Sequence, residues 1–477
     1  MTSYDSTVRF DEARPVAFGI ARLVAEEGFP VLLVRDVLGR FSLVVDDSGD
    51  HKASTEQADQ WQAAFTEHLG RYSGERPLLL ASAMFSAKTL LGAPRAIDDL
   101  GGPTTAGSVR FLDNTVVGED WARVSTPSAP EDGTPRTRRT ALYGFKGGVG
   151  RTTAASVLAR RLADEGNIVL VVDLDLESPG VGPLLLGSGR LCRHGVVDHL
   201  VESALGNAEG LEIVARSGYE PLNRGELWVA PARGAGTEGL PNSYVDKLNR
   251  VYADAAGARF ADRLAATVSA CEDAVERGDS GRRPDVVLLD SRAGIHDVAA
   301  VTISHLCDLA LLFGADNEQT WAGYRDLFEA WASTGQARRI RERLRMVASM
   351  VPDSVHHSMD DYLENYRRNA YKCFESTLYD AVVAPNVEPD EPLPPAAATA
   401  RRDVFSPDLT DDTAPHYPVP ILFEPGLVGM NVPDSPHWQE RAFVQAAYRD
   451  FLETAVPLIM AGPVVDDEPE AEDEEGS

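Results

Sequence analysis

Residues 141–153 read Ala-Leu-Tyr-Gly-Phe-Lys-Gly-Gly-Val-Gly-Arg-Thr-Thr, and this stretch decides the fold. Ala141–Tyr143 is a short apolar run of the kind buried strands show, and Ala154–Glu165 reads as a helix. Between them stand Lys146, Gly147, Gly148, Val149, Gly150, Arg151, Thr152 and Thr153. Glycines let the backbone turn tightly and bring its N–H groups against an anion. The start of the helix adds a favourable partial positive charge. A strand, a glycine loop with a lysine and a helix in that order form the setting of a phosphate-binding loop. Thr152 stands where a hydroxyl would ligate Mg²⁺, and Thr153 can donate to an α-phosphate.

Working outward, apolar runs alternate with helical segments: Ile168–Val172, Leu227–Ala230, Val286–Leu289, Leu309–Phe313, Met346–Ala348 and Val419–Phe423. Short, mostly apolar strands fit a parallel sheet covered on both faces, and the alternation implies βαβ crossovers. Two of these runs end in carboxylates. Ile168–Pro179 closes on Asp173, Asp175 and Glu177, and Pro284–Asp297 carries Asp290, Arg292 and Gly294. Carboxylates at the carboxyl ends of strands beside a phosphate loop can hold Mg²⁺ and orient an attacking water. His296 reads as a loop histidine.

KGGVGRTT resembles the deviant Walker A box of the ParA/MinD/ArsA ATPases, usually KGGVGKTT, in its KGGVGR variant. The likeness covers roughly residues 141–430 and includes Asp-Leu-Asp-Leu-Glu-Ser-Pro-Gly and Asp-Ser-Arg-Ala-Gly. It implies a three-layer α/β P-loop NTPase domain with a mostly parallel sheet that binds ATP and Mg²⁺. By the same resemblance Lys146 reaches a partner's phosphates in an ATP-bound homodimer, and Asp175 positions the attacking water. Thr152, Asp173 and Asp290 serve the metal, Gly294 turns its N–H toward the γ-phosphate, and Glu424–Leu427, with Pro425, forms the adenine-side loop. Arg151 replaces the usual lysine, keeping the charge on a broad planar fork. The expectation is a slow ATPase and dimerisation switch acting on an unidentified protein partner, in a bacterial signalling or conflict setting. A hydrolysis-incompetent scaffold and a ParA/MinD-type positioning ATPase remain the alternatives.

At 477 residues the chain is too long for one core and fits two domains. Residues 1–124 read as a small α/β domain, with Glu12–Glu27 and Ala53–Leu69 helical and Val31–Val34, Phe41–Val45 and Val109–Leu112 as strands. The Pro/Ser/Thr-rich residues 125–140 read as a linker. Residues 141–461 form the ATPase domain, with a surface insertion at Pro385–Pro418 and a closing helix at Ser435–Met460. The acidic residues 462–477 read as a disordered tail. Net charge is −29, and without the tail's eight carboxylates 66 acidic residues still face 45 basic ones. Such a field disfavours strong nucleic-acid or anionic-membrane binding. No apolar run approaches the roughly 18 to 20 residues of a spanning helix, and no secretory pattern opens the chain, so a cytoplasmic location is expected. The four cysteines lack metal or disulfide spacing. Only five lysines occur, one of them Lys146.

Overall fold

The computed structural model describes residues 8–36, 38–49, 51–93, 95–99, 107–114, 119–125, 136–187, 189–236, 243–252, 258–354, 356, 358–381, 404–428 and 437–461. The chain forms two compact units, Met1–Glu119 and Asp120–Ser477. Most of the expected linker and the whole acidic tail lie outside the described residues, as does the first part of the expected insertion.

The first unit holds a five-stranded mixed sheet in the order β3-β2-β1-β5-β4. The strands are β1 Val31–Arg35, β2 Phe41–Val45, β3 Ser73–Leu80, β4 Ile97–Asp98 and β5 Val109–Asp113. β1 pairs antiparallel with β2 and parallel with β5. Helices α1 (Phe10–Glu26) and α2 (Thr55–Leu69) cover one face. Their Ala17, Val24, Trp61 and Phe65 pack on Val31, Leu33, Leu43 and Phe111. A reciprocal cap starts α2: the Ser54 hydroxyl accepts from the Gln57 N–H at 3.2 Å, and the Gln57 side chain accepts from the Ser54 N–H at 3.1 Å.

The second unit is built on eight strands in the order β13-β12-β11-β6-β10-β7-β9-β8. They are β6 Arg138–Gly144, β7 Ile168–Leu174, β8 Ala215–Arg216, β9 Glu226–Ala230, β10 Val286–Ser291, β11 Leu309–Gly314, β12 Leu344–Val351 and β13 Val419–Leu422. Every neighbouring pair is parallel except β8 with β9. Successive side chains of a strand point to opposite faces, and β6 shows the result. Leu142 packs with helices α3 (Arg151–Asp164) and α7 (Ala442–Ala461). Ala141 and Tyr143 pack with α4 (Phe260–Glu276), α5 (Glu318–Ser333) and α6 (Met359–Glu375). The unit is therefore three-layered with a mostly parallel sheet, the fold class expected from the sequence. Each fully buried Val, Leu or Phe in these layers contributes about 1.5 to 3 kcal/mol.

Several boundaries differ from the sequence reading. β6 begins at Arg138, inside the stretch read as linker, because Arg138–Thr140 pair with Val286–Leu288 of β10. The second unit begins at Asp120, and Trp121 and Val124 belong to its core. The Trp121 ring lies 6.1 Å from Tyr143 and 5.9 Å from Trp331. The closing helix starts at Ala442, after a single tight turn at Trp438–Glu440. The end of the expected surface insertion is not superficial. His416 is buried, and its Nδ1 sits 2.6 Å from the Tyr379 hydroxyl. Arg345 donates to the carbonyls of Thr413, at 2.6 Å, and Ala414. All four cysteines are free and buried. Among the described residues no helix is long and apolar enough to cross a membrane.

Candidate phosphate site

β6 lies in mid-sheet with β10 and β11 on its flanks, so the loop after Gly144 emerges where three carboxyl ends meet. This edge is where parallel α/β sheets place ligands. Gly148 and Gly150 adopt φ of +77° and +76°, a left-handed conformation that side-chain-bearing residues disfavour. Gly150 is the N-cap of α3, so the helix opens directly onto the loop. Gly147 and Gly148 are exposed, and a Cβ at either would meet nothing within 4 Å. Val149 is buried and anchors the loop to the core on the α3 side. Thr152 and Thr153 are half-buried in the first turn of the helix.

The two basic residues of the loop point to different places. Lys146 is exposed and donates to the Oε1 of Gln319 in α5. Arg151 is buried. One of its nitrogens donates to the Ser291 carbonyl at the end of β10, and the other lies 3.6 Å from an Asp175 oxygen.

The carboxylates gather behind the loop. Asp173, the next-to-last residue of β7, is fully buried. It accepts from the N–H groups of Asp175 at 3.2 Å, Gly180 at 3.0 Å and Val181 at 3.1 Å. Both its oxygens thus hold the following loop in place, a structural task beyond the expected metal partnership. Burial, with Asp290 nearby, still raises its pKa well above the ordinary carboxylate range. Asp175 is half-buried; burial raises its pKa and the Arg151 cation opposes the rise.

Asp290 is 1% exposed, and neither of its oxygens meets a donor in sound hydrogen-bond geometry. Burial pushes its pKa up to about 6, while Arg151 and the Thr152 hydroxyl beside it offset part of the effect. A buried carboxylate without partners costs several kcal/mol unless a cation joins it. That orphaned pair of oxygens, with a threonine hydroxyl beside it, fits a hard divalent cation. Among the described residues no cluster of three His, Cys, Asp or Glu side chains forms a metal site of its own.

Gly294 has φ of +80°, and its N–H donates to the Gly144 carbonyl at 3.2 Å, tying this turn to β6. The Tyr143 hydroxyl donates to the Gly294 carbonyl, also at 3.2 Å. His296 caps the next helix through its Nδ1, which accepts from Val298 at 3.4 Å. Pro425 opens a single turn after β13, where the Glu424 carboxylate accepts from Gly426 at 2.7 Å. Two strands, β12 and β11, lie between β13 and β6, so Pro425 stands well to one side of the glycine loop along the sheet.

Residues 137–179 match the AAA domain family. This segment contains β6, the glycine loop, α3 and β7. The match supports the ParA/MinD-like resemblance read from its sequence. No curated protein matches the chain. Similar solved structures include the MinC:MinD cell division complex of Aquifex aeolicus, at 16% identity, covering 67% of this chain and 96% of that one with a TM-score of 0.35. Another is cobyrinic acid a,c-diamide synthase from Mycobacterium smegmatis with an ATP analogue and magnesium, at 15% identity, 69% and 100% coverage and a TM-score of 0.38. A third is pNOB8 ParA bound to nonspecific DNA, at 15% identity, 50% and 75% coverage and a TM-score of 0.32.

Around the AAA segment the structure adds residues that sequence reading missed. Gln319 holds Lys146, and Gly323 packs against the Phe145 ring. Tyr252 is another: its hydroxyl donates to Glu177, a carboxylate already read from the sequence, which also pairs with Arg292 and lies 3.7 Å from His296. The Tyr244 hydroxyl donates to the Leu176 carbonyl at 2.6 Å. These partners come from distant segments and carry no local motif.

Proposed function

We propose that the larger unit binds ATP with Mg²⁺ and works as a slow, ATP-driven dimerisation switch for a protein partner in the cytoplasm. The observation that carries the reading is the partnerless Asp290 carboxylate beside Thr152, directly behind a glycine loop that opens a helix. Thr152 and Asp290 would hold Mg²⁺, and Asp173 would fix the loop next to them. The metal, when bound, neutralises phosphate charge and polarises the bond to be broken. The N–H groups of Gly147 to Thr153 cradle phosphates, and Arg151 supplies a cation. Asp175 orients the water that attacks the terminal phosphate. Gly294, whose small turn is free of side-chain hindrance, can exchange its bond to Gly144 for one to phosphate. Pro425 belongs to the side of the base.

Lys146 is the exposed cation of the loop, held only by an exposed glutamine, and is free to reach the phosphates of a second copy. Light scattering after gel filtration, with a non-hydrolysable ATP analogue, tests this. The mass is expected to double in wild type and to stay monomeric in Lys146→Ala. A wild-type mass that ignores the analogue sinks the switch. Arg151 turned onto Asp175 favours one second reading, a scaffold that binds nucleotide without hydrolysing it. Phosphate release that disappears in Asp175→Ala rejects it. DNA binding at physiological salt would move the protein toward a positioning role like that of ParA.

A further inference from the structure

Arg151 makes two contacts at once. One guanidinium nitrogen donates to the Ser291 carbonyl on β10, and the other faces Asp175, 3.6 Å away, after β7. The side chains are 7% and 17% exposed, so little water screens the pair. The end of β6 is bare where the arginine passes. A Cβ on Gly144 would lie 3.2 Å from the Arg151 Cδ and 3.0 Å from a Val149 methyl. A lysine ammonium is a compact point charge, whereas the guanidinium fork presents separate donors to separate acceptors.

We propose that Arg151 is a strut of the nucleotide-free protein that ties Asp175 to the end of β10, and that nucleotide phosphate binds by taking Arg151 from Asp175. The inference rests on the ATP reading above and deepens it. One cation cannot serve a carboxylate and a phosphate at full strength, so Asp175 and the nucleotide compete for it. Occupancy of the site then frees Asp175 to face the nucleotide, and departure of the phosphates recaptures it. Arg151 becomes a positioning residue for Asp175 as well as a phosphate contact, which gives the arginine-for-lysine exchange a purpose.

The test is a double-mutant cycle on the affinity of the full chain for a fluorescent ADP analogue, measured in EDTA and again in Mg²⁺. Asp175→Asn is expected to tighten binding about tenfold in the wild-type background, the scale of a close, poorly screened ion pair. In Arg151→Met the same change should alter affinity less than about twofold. Equal tightening in both backgrounds would mean a general field effect and would overturn the strut. So would an Asp175→Asn affinity equal to or weaker than wild type. If Arg151→Met does not fold, Arg151→Gln takes its place, removing the charge while keeping a polar head, with the same expected outcomes. Without nucleotide, amides 175–181 should exchange faster in the Arg151 variant, and unchanged exchange also refutes the strut. A wild-type chain that binds no adenine nucleotide overturns the ATP reading itself, a result separate from the cycle.

Discussion

Asn in place of Asp290 tests whether the site waits for a cation. Asp290 is 1% exposed, and burial lifts its pKa from 3.8 to about 6. Each unit corresponds to about 1.4 kcal/mol, so the ionised carboxylate destabilises the nucleotide-free protein by about 3 kcal/mol. Well below pH 3.8 the carboxyl is protonated in folded and unfolded chains alike, and the cost is absent. Between about pH 4 and 6 the unfolded chain ionises first, so stability falls as pH rises through that window. Above it the full cost applies. Asp290→Asn removes the charge. In a thermal melt without nucleotide or divalent cation, it should raise the melting temperature at pH 8 by about 3 °C relative to its effect at pH 4. The amide's own lack of partners costs the same at both pH values, so the difference between them is the readout. Equal effects at pH 4 and pH 8, or a larger gain at pH 4, would refute the account of a buried, cation-deficient carboxylate.

Two steric predictions use glycines. A Cβ on Gly323 would lie 2.3 Å from the Phe145 ring, so Gly323→Ala should displace the residue just before Lys146. Nucleotide affinity should fall about tenfold or more by equilibrium titration, and unchanged affinity would show that Phe145 does not set the loop. A Cβ on Gly225 would lie 1.9 Å from the Ala163 carbonyl oxygen at the end of α3. Gly225→Ala should cost about 2 to 3 kcal/mol in urea unfolding, and an unmoved midpoint would mean the turn yields freely.

The architecture of the larger unit was legible because its strands are buried on both faces. Runs such as Ile168–Val172 and Val286–Leu289 are apolar throughout, as strands covered on both faces require, and their alternation with helical segments marks the sheet as parallel. Edge elements were harder. β3 carries Gly74, Glu75, Arg76 and Pro77, and its residues are at best half-buried, so no apolar period marks it. Proline is tolerated there because β3 is at the sheet edge. The first unit read to residue 124, because an isolated tryptophan such as Trp121 does not name the core it enters. At the site, the residue types of the glycine loop and of Asp290 were readable, but direction was not. Sequence gives the charge of Arg151; only the fold shows it turned inward to Ser291 and Asp175. Gln319 and the Tyr252–Glu177–Arg292 contacts depend on segments about 75 to 175 residues apart, beyond any local pattern.

The strand order carries a consequence for how the protein is made. β6 leaves the ribosome early, yet its hydrogen-bonding neighbours are β10 and β11, which end at Ser291 and Gly314. At ordinary elongation rates both edges of β6 stay unpaired for roughly 10 to 30 s of synthesis. An apolar strand with bare edges is a template for misassociation. The phosphate cradle cannot exist during that interval, so nucleotide can stabilise only a chain synthesised well past Gly314. Chains stalled before that point should depend on chaperones, whatever the ATP supply of the cell.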